Sequence, residues 1–186
     1  AYIAKLASIK MQIDREREVR RIPVLLPSGE SVSLSPGGQN PLIAAIIRDF
    51  CGQYVQDGVV LYLGDAEDKF KHLQTKELEA LGITVPAPAK MPDVVVHDRA
   101  RNWLLLIEAV SSGGHIDGKR LVELKRLFQG STAGLVFISA FKDRADFRKY
   151  LPTISWETEV WIADSPEHLI HFNGERFLGP YPGAKE

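Results

Sequence analysis

The stretch MPDVVVHDRARNWLLLIEAV, residues 91–110, decides how this chain folds. It contains two apolar runs, 93–97 and 103–110, on either side of a short polar segment over 98–102. Short runs rich in valine, isoleucine and leucine, separated by a turn, predict two strands joined as a hairpin. The second run is apolar at almost every position, which indicates a strand buried on both faces between flanking helices.

Two carboxylates interrupt these apolar strands, Asp93 at the start of the first and Glu108 near the end of the second. A hairpin centred on its turn places Asp93 directly opposite Glu108, on one face, with Cβ atoms about 5 Å apart. Two like charges at that separation repel, and partial burial strengthens the repulsion. The alternative is that both acids are solvated at the strand ends, or paired with the arginines of the turn, Arg99 and Arg101.

A divalent cation between the two carboxylates would remove this repulsion. Carboxylate and carbonyl oxygens are hard ligands that suit Mg²⁺. A glutamate that follows the apolar run Leu104–Ile107 would otherwise be costly to bury. We therefore predict a magnesium site with Asp93, Glu108 and the backbone carbonyl of Ala109 as its protein ligands.

The rest of the chain alternates between predicted strands and helices. The pattern predicts a helix over 2–20, a hairpin from 22–26 to 31–34, a helix capped by Asn40, a strand over 59–63, helices over 74–81 and 117–128, a strand over 133–141, a helix over 143–150, and final strands over 160–163 and 169–172. A strand, a helix and a strand in succession after residue 103 indicate a parallel crossover unit. The predicted class is α/β, with a mixed central sheet flanked by helices.

Composition narrows the possible functions. The net charge of −1 argues against a protein that binds nucleic acid by bulk charge, so any DNA contact must come from local basic clusters. The single cysteine, Cys51, cannot form an intrachain disulfide and is expected to be a buried thiol in a reducing cytoplasm. No apolar run approaches the ~20 residues that cross a bilayer, so we expect no membrane partner.

Several segments resemble a known family. Pro92-Asp93 followed by Glu108-Ala109-Val110 is similar to the PD-(D/E)XK nuclease motif, and the predicted element order resembles that fold. Eight segments between about Ile22 and Tyr181 resemble the BsuBI/PstI restriction endonuclease family: Leu61–Asp65, Pro92–Val95, Asn102–Leu104, Leu106–Val110, Lys119–Arg120, Ala133–Phe137, Trp156–Ala163 and His171–Gly174. In that family this region is the C-terminal, catalytic part of a longer polypeptide. The resemblance implies that residues 1–21 are a helix or linker from an upstream DNA-binding part, and that 22–186 form the catalytic nuclease domain.

The resemblance also implies a function. It predicts a type II restriction endonuclease that hydrolyses phosphodiester bonds of double-stranded DNA with Mg²⁺, at a palindromic site such as the CTGCAG of the name-giving members. A palindrome has a two-fold axis, so we expect a homodimer on DNA. The alternatives are a structure-selective repair or junction nuclease of the same fold, and a DNA-binding module that has lost catalysis.

The chain departs from the motif at Val110, where the pattern has a lysine. That lysine orients or deprotonates the attacking water and offsets charge on the phosphate. Lys119 is the preferred substitute, because the start of the following helix is expected beside the end of the Glu108 strand. Lys69 and Lys90 are the rival candidates.

Three further residues are predicted near the site. Asp65 either supports the site, as an extra ligand or a supporting acid, or is simply a turn residue after Gly64. Ser112 lies in a loop with two glycines that could admit a DNA backbone, and Arg120 is expected to contact DNA.

Overall fold

The computed structural model describes residues 2–65, 67–68, 71–85 and 90–172. Two sheets are present in these ranges. The smaller is the predicted hairpin of β1 (Ile22–Leu25) and β2 (Ser31–Leu34). The larger has seven strands in the order β4-β3-β5-β6-β7-β8-β9. Its strands are β3 (Gly58–Leu63), β4 (His72–Leu73), β5 (Val94–Asp98), β6 (Trp103–Val110), β7 (Gly134–Phe141), β8 (Thr158–Ile162) and β9 (Leu169–Phe172).

Helices connect the strands, largely as predicted. They are α1 (Tyr2–Val19), α2 (Asn40–Ala45), a π-helical turn (Ile46–Phe50), α3 (Cys51–Tyr54), α4 (Thr75–Ala80), α5 (Gly118–Leu127), α6 (Arg144–Tyr150) and a 3-10 turn (Leu151–Thr153). In the described ranges, no helix combines the length and apolar character needed to cross a membrane. The predicted α/β class, with a mixed sheet flanked by helices, is confirmed.

The register of the central hairpin is the predicted one. Strands β5 and β6 are antiparallel, and Val94 pairs with Ile107. The next pair outward along this register is Asp93 and Glu108, so both acids stand at the open end of the hairpin. On its other side β6 pairs in parallel with β7, which confirms the crossover.

Strand β6 is buried on both faces, which explains its continuous apolar sequence. Leu105 and Ile107 pack into a cluster with the residues of α2 and the π-helical turn. Leu104 and Leu106 pack into a second cluster on the opposite face, with the apolar residues of α5. Cys51 is buried in the first cluster, as expected, and burial raises the pKa of its thiol to about 12.

One local prediction, the cap of α2, was wrong. Asn40 does not cap α2; Gln39 occupies that position and makes no side-chain cap hydrogen bond. The Asn40 amide instead donates to the carbonyl and hydroxyl oxygens of Ser35, at 2.8 and 2.9 Å. Helix α1 forms as predicted, and the side chains described for it are exposed.

Candidate active site

A polar cleft of about 360 Å³ opens at the edge of the sheet where β5 begins and β6 ends. The pairing of β5 with β6 puts Asp93 and Glu108 on its floor. The residues that line it are Gln39, Tyr62, Gly64, Met91, Pro92, Asp93, Glu108, Ala109, Ser111, Ser112, Gly113, Gly114 and Arg120. The cleft therefore collects the two predicted carboxylates, one strongly basic side chain and an exposed loop.

The two carboxylates are close neighbours, near enough for Asp93 to act on the pKa of Glu108 through its charge and through side-chain hydrogen bonding. Asp93 Oδ2 accepts the backbone N–H of Ala109 at 2.8 Å. Glu108 is 6% exposed. Burial, and next the negative charge of Asp93, raise the pKa of Glu108 to about 7 against the opposing effect of Arg120. The expected adjacency of Asp93 and Glu108 on one sheet face is confirmed.

Arg120 is the cation that faces Glu108. Its Nε donates to Glu108 Oε1 at 2.7 Å, and Nη1 donates to Glu123 Oε2. Nη2 donates to the carbonyl oxygens of Lys90 and Met91, at 3.1 and 3.2 Å. Arg120 thereby links Glu108 on β6 to the segment that leads into Asp93.

The start of α5 is held over the sheet by capping and by one buried serine. Asp117 accepts the backbone N–H of Arg120 at 2.7 Å, which caps the helix as predicted. The backbone N–H of Ile116 donates to Ser139 Oγ at 2.9 Å, and Ser139 pairs with Glu108 across β6 and β7. These bonds fix the first turn of α5 beside Glu108, which is why Arg120 reaches the carboxylate.

The position of the motif lysine is part of the core. Val110 is buried in a third apolar cluster that includes Phe141, Phe147 and Val160. A lysine at this position would place its ammonium group among these apolar side chains, which is costly without a partner. The departure from the PD-(D/E)XK pattern therefore agrees with the local packing.

Arg120 lines the cleft, whereas neither of the predicted lysines that the structure describes does so. Lys119 is exposed and does not line the cleft. Lys90 is exposed and offers its carbonyl oxygen to Arg120, and Lys69 lies outside the described residues. Among the described residues that line the cleft, Arg120 is the cation. The catalytic role of Lys119 stays a prediction.

Asp65 is part of a buried hydrogen-bond network beside the cleft. Its carboxylate accepts the backbone N–H and the hydroxyl of Ser35, both at 2.6 Å, and the backbone N–H groups of Glu67 and Asp68. Burial opposes its ionisation, but these hydrogen bonds outweigh burial and hold the pKa of Asp65 below its usual value. Since four donors occupy its oxygens, we assign Asp65 the structural role of holding the loop at Ser35 against the end of β3.

The loop 111–114 contributes four of the residues that line the cleft. The loop 111–114 is exposed, and Gly113 and Gly114 adopt positive φ angles with open space at the Cβ position. Ser112 of this loop lines the cleft, and Gln39 lines it as well. Nothing lies within 4 Å of a Cβ built on either glycine, so this side of the cleft is open.

Tyr62 lines the cleft and was not predicted. It is buried, and burial, followed by the charges of Asp93 and Glu108, raises the pKa of its hydroxyl to about 12. The register of β3 shifts between Val60 and Tyr62. A bulge of this kind changes which face later side chains occupy, so strict alternation along β3 could not place Tyr62.

The donor set fits a magnesium ion. In the part of the chain that the structure describes, no group of three or more histidine, cysteine or acidic side chains could enclose a metal. Mg²⁺ does not need such a cage, because it retains several waters and binds through one or two carboxylates. Asp93 and Glu108 supply that number, and Ala109 lines the same cleft.

The chain is similar to known restriction endonucleases. A family model described as the BsuBI/PstI restriction endonuclease domain matches residues 22–175. The chain is 46% identical over 180 residues to the type II restriction enzyme BsuBI of Bacillus subtilis. The aligned region covers 97% of this chain and 57% of the relative. It is 31% identical over 184 residues to the type II restriction enzyme AplI of Arthrospira platensis, at 95% and 56% coverage.

A solved structure shows the same fold. The SdaI restriction endonuclease matches with a TM-score of 0.82 and 42% identity, over 94% of this chain and 55% of that chain. The chain thus spans little more than half the length of each of these relatives. The family model matches most of the chain, and the chain belongs to the BsuBI/PstI restriction endonuclease family.

Proposed function

We propose that this chain carries the catalytic site of a type II restriction endonuclease that hydrolyses phosphodiester bonds of double-stranded DNA in a Mg²⁺-dependent reaction. The observation that carries the proposal is the adjacency of a buried carboxylate, Glu108, and a half-buried one, Asp93, in a polar cleft that also holds Arg120. Burial of adjacent acids costs stability, and a bound cation offsets that cost. Family membership supports DNA cleavage as the use of this site.

Asp93 and Glu108 would hold the metal, with the backbone carbonyl of Ala109 as a further ligand. When bound, Mg²⁺ supplies charge stabilisation at the phosphate and a more acidic water. The backbone N–H of Ala109 fixes one oxygen of Asp93, and Arg120 fixes one oxygen of Glu108. Because each carboxylate is held through one oxygen, the pair is oriented before any ligand enters.

The remaining site residues have supporting roles in the proposal. Ser112, on the exposed loop of the cleft, contacts the DNA backbone. Lys119 is exposed on the first turn of α5 and meets the DNA as it enters the cleft. Lys69 and Lys90 remain rivals to Lys119 as a lysine that acts on the attacking water.

The proposed substrate is a palindromic duplex site, with CTGCAG as the first sequence to test. The proposed assembly is a homodimer on DNA, since the two-fold axis of a palindrome favours a partner with the same symmetry. Sedimentation of the complete protein with a short CTGCAG duplex in Ca²⁺ should show two chains per duplex. One chain per duplex would contradict the dimer.

The function is tested by incubating unmethylated plasmid with the complete natural protein and Mg²⁺. Discrete bands that map to one short sequence are the expected result, and omission of Mg²⁺ should leave the plasmid intact. A smear would favour a structure-selective nuclease, and an intact plasmid with Mg²⁺ would favour a DNA-binding module. The variant Asp93→Asn should not cut the plasmid. Asp57→Asn is its matched control and should cut normally, because Asp57 is exposed and pairs with Arg99 at the other end of the hairpin.

A further inference from the structure

We infer that Arg120 is a catalytic residue, which supplies to the scissile phosphate the positive charge that the lysine of the PD-(D/E)XK motif supplies elsewhere. This inference rests on the proposed function. It assigns Arg120 a hydrogen bond to a non-bridging phosphate oxygen, in addition to its contact with Glu108. A residue that only bound the DNA backbone would instead contact a phosphate away from the reacting bond.

The two acids that Arg120 contacts differ in exposure. Nε contacts Glu108, whose side chain is 8% exposed, and Nη1 contacts Glu123, whose side chain is 41% exposed. Nη2 contacts the carbonyl oxygens of Lys90 and Met91. A phosphate oxygen can therefore replace the solvated Glu123 while the contacts of Nε and Nη2 persist.

The position of Arg120 meets the geometric need for a catalytic cation. It lines the same cleft as the two carboxylates and touches one of them. Asp117, Ile116 and Ser139 hold the first turn of α5 in place, so the guanidinium is fixed before DNA binds. Fixed donors aimed at developing charge are an effective form of transition-state stabilisation.

The alternatives fit less well. A lysine at position 110 would lie in the apolar cluster around Val110. Lys119 is the next residue to Arg120, but adjacent helix residues point about 100° apart, and Lys119 is exposed and does not line the cleft. Arg120 thus combines charge, partial burial and contact with Glu108.

The chemistry of the arginine side chain limits the role that the Arg120 guanidinium can have in the reaction. In hydrolysis, a water oxygen bonds to phosphorus, one bridging P–O bond breaks, the water proton passes to solvent, and the leaving oxygen takes a proton from solvent. Arg120 stays protonated throughout, because a guanidinium is not deprotonated in proteins. Its contribution is therefore electrostatic, and it is not the base that activates the water.

Two substitutions in the complete protein separate charge from hydrogen bonding. Arg120→Gln keeps a long hydrogen-bonding side chain without the charge, and Arg120→Lys keeps the charge. We expect Arg120→Gln to lower the single-turnover cleavage rate with Mg²⁺ by about 10²-fold or more, the scale of one lost electrostatic donor. We expect Arg120→Lys to lie within about tenfold of the parent rate, because it restores the charge lost in Arg120→Gln.

Affinity and stability are measured beside the rate. DNA affinity with Ca²⁺ should change by less than about threefold in Arg120→Gln, because an interaction made mainly in the transition state leaves ground-state binding intact. Arg126→Gln is the matched control, since Arg126 is exposed on the same helix and does not line the cleft. It should match the parent in cleavage rate, affinity and melting temperature.

Several results would overturn the inference. Equal rates in Arg120→Gln and Arg120→Lys would show that charge is not what matters, and a loss of affinity as large as the loss of rate would make Arg120 a backbone clamp. Loss of the cooperative melting transition in both variants would make it a structural residue. Rapid cleavage by Arg120→Gln with none by Lys119→Ala would transfer the role to Lys119. If the parent protein itself does not cut, the proposed function fails, which is a separate outcome.

Discussion

The two ends of the central hairpin both bury a carboxylate beside an arginine, and they differ in charge balance. At the turn end, Asp98 is fully buried and pairs with Arg101, while its other oxygen accepts the backbone N–H of Ala100. At the open end, Glu108 pairs with Arg120 but also contacts Asp93. At the turn Arg101 thus faces one buried acid, whereas in the cleft Arg120 contacts Glu108 and Glu123, and a further acid, Asp93, lies beside Glu108. The excess of negative charge, and not burial itself, distinguishes the open end, where we propose the functional site.

The comparison is tested most directly by removing charge at the open end. Asp93→Asn or Glu108→Gln should lower the single-turnover cleavage rate by more than about 10³-fold, because metal binding contributes several kcal/mol to transition-state stabilisation. Folding should be retained, since each amide replaces a carboxylate of the same shape. Quenched-flow cleavage assays and melting curves measure the two effects. Near-parental cleavage by either variant would place the metal site elsewhere.

Removal of charge at the turn end should affect stability and not chemistry. Asp98→Ala breaks a buried ion pair and leaves the N–H of Ala100 without its acceptor. We expect a loss of about 3 kcal/mol in the free energy of unfolding, measured by urea denaturation. The cleavage rate of the folded fraction should be unchanged. The exposed Asp57→Ala is the control, and its urea midpoint should stay close to that of the parent.

A lysine at position 110 should not increase the cleavage rate above that of the parent. Val110→Lys places an ammonium group among the aromatic residues of the third cluster, and we expect a loss of at least about 2 kcal/mol in unfolding free energy. Val110→Met is the control, because it adds length without charge. A Val110→Lys variant as stable as the parent, with faster cleavage, would show that the position faces the cleft.

The smallest expected effect is the pH dependence of stability without metal. The pKa of Glu108 is raised to about 7 in the folded chain, from about 4.3 in an unfolded chain. Between these values the folded state binds more protons, so the contribution of Glu108 to stability falls as pH rises from about 4 to about 7. Glu108→Gln should therefore raise the melting temperature by a few degrees at pH 8 and by less at pH 5. An equal shift at both pH values would contradict the raised pKa.

The sequence was sufficient to predict most helices and strands and the Asp93–Glu108 pair. It was not sufficient to predict the contacts of several residues around that pair. The hairpin register was predictable, because a short turn restricts which residues can face each other and burial of both faces prevents slippage. Asn40 and Tyr62 were not predictable in this way. The amide of Asn40 bonds to Ser35 and not to its own helix, and the bulge in β3 changes the alternation before Tyr62.

The sequence by itself therefore determined the central hairpin, the pairing of Asp93 with Glu108 and, through resemblance, the family. Only the tertiary structure decided which cation faces Glu108, because Lys119 and Arg120 are both cationic neighbours in sequence and leave α5 in different directions. That direction depends on how the helix packs on the sheet, which the cap at Asp117 and the bond to Ser139 establish. Pairing within a hairpin is a local property of the chain, whereas the contact of a helix residue with a strand depends on the whole fold.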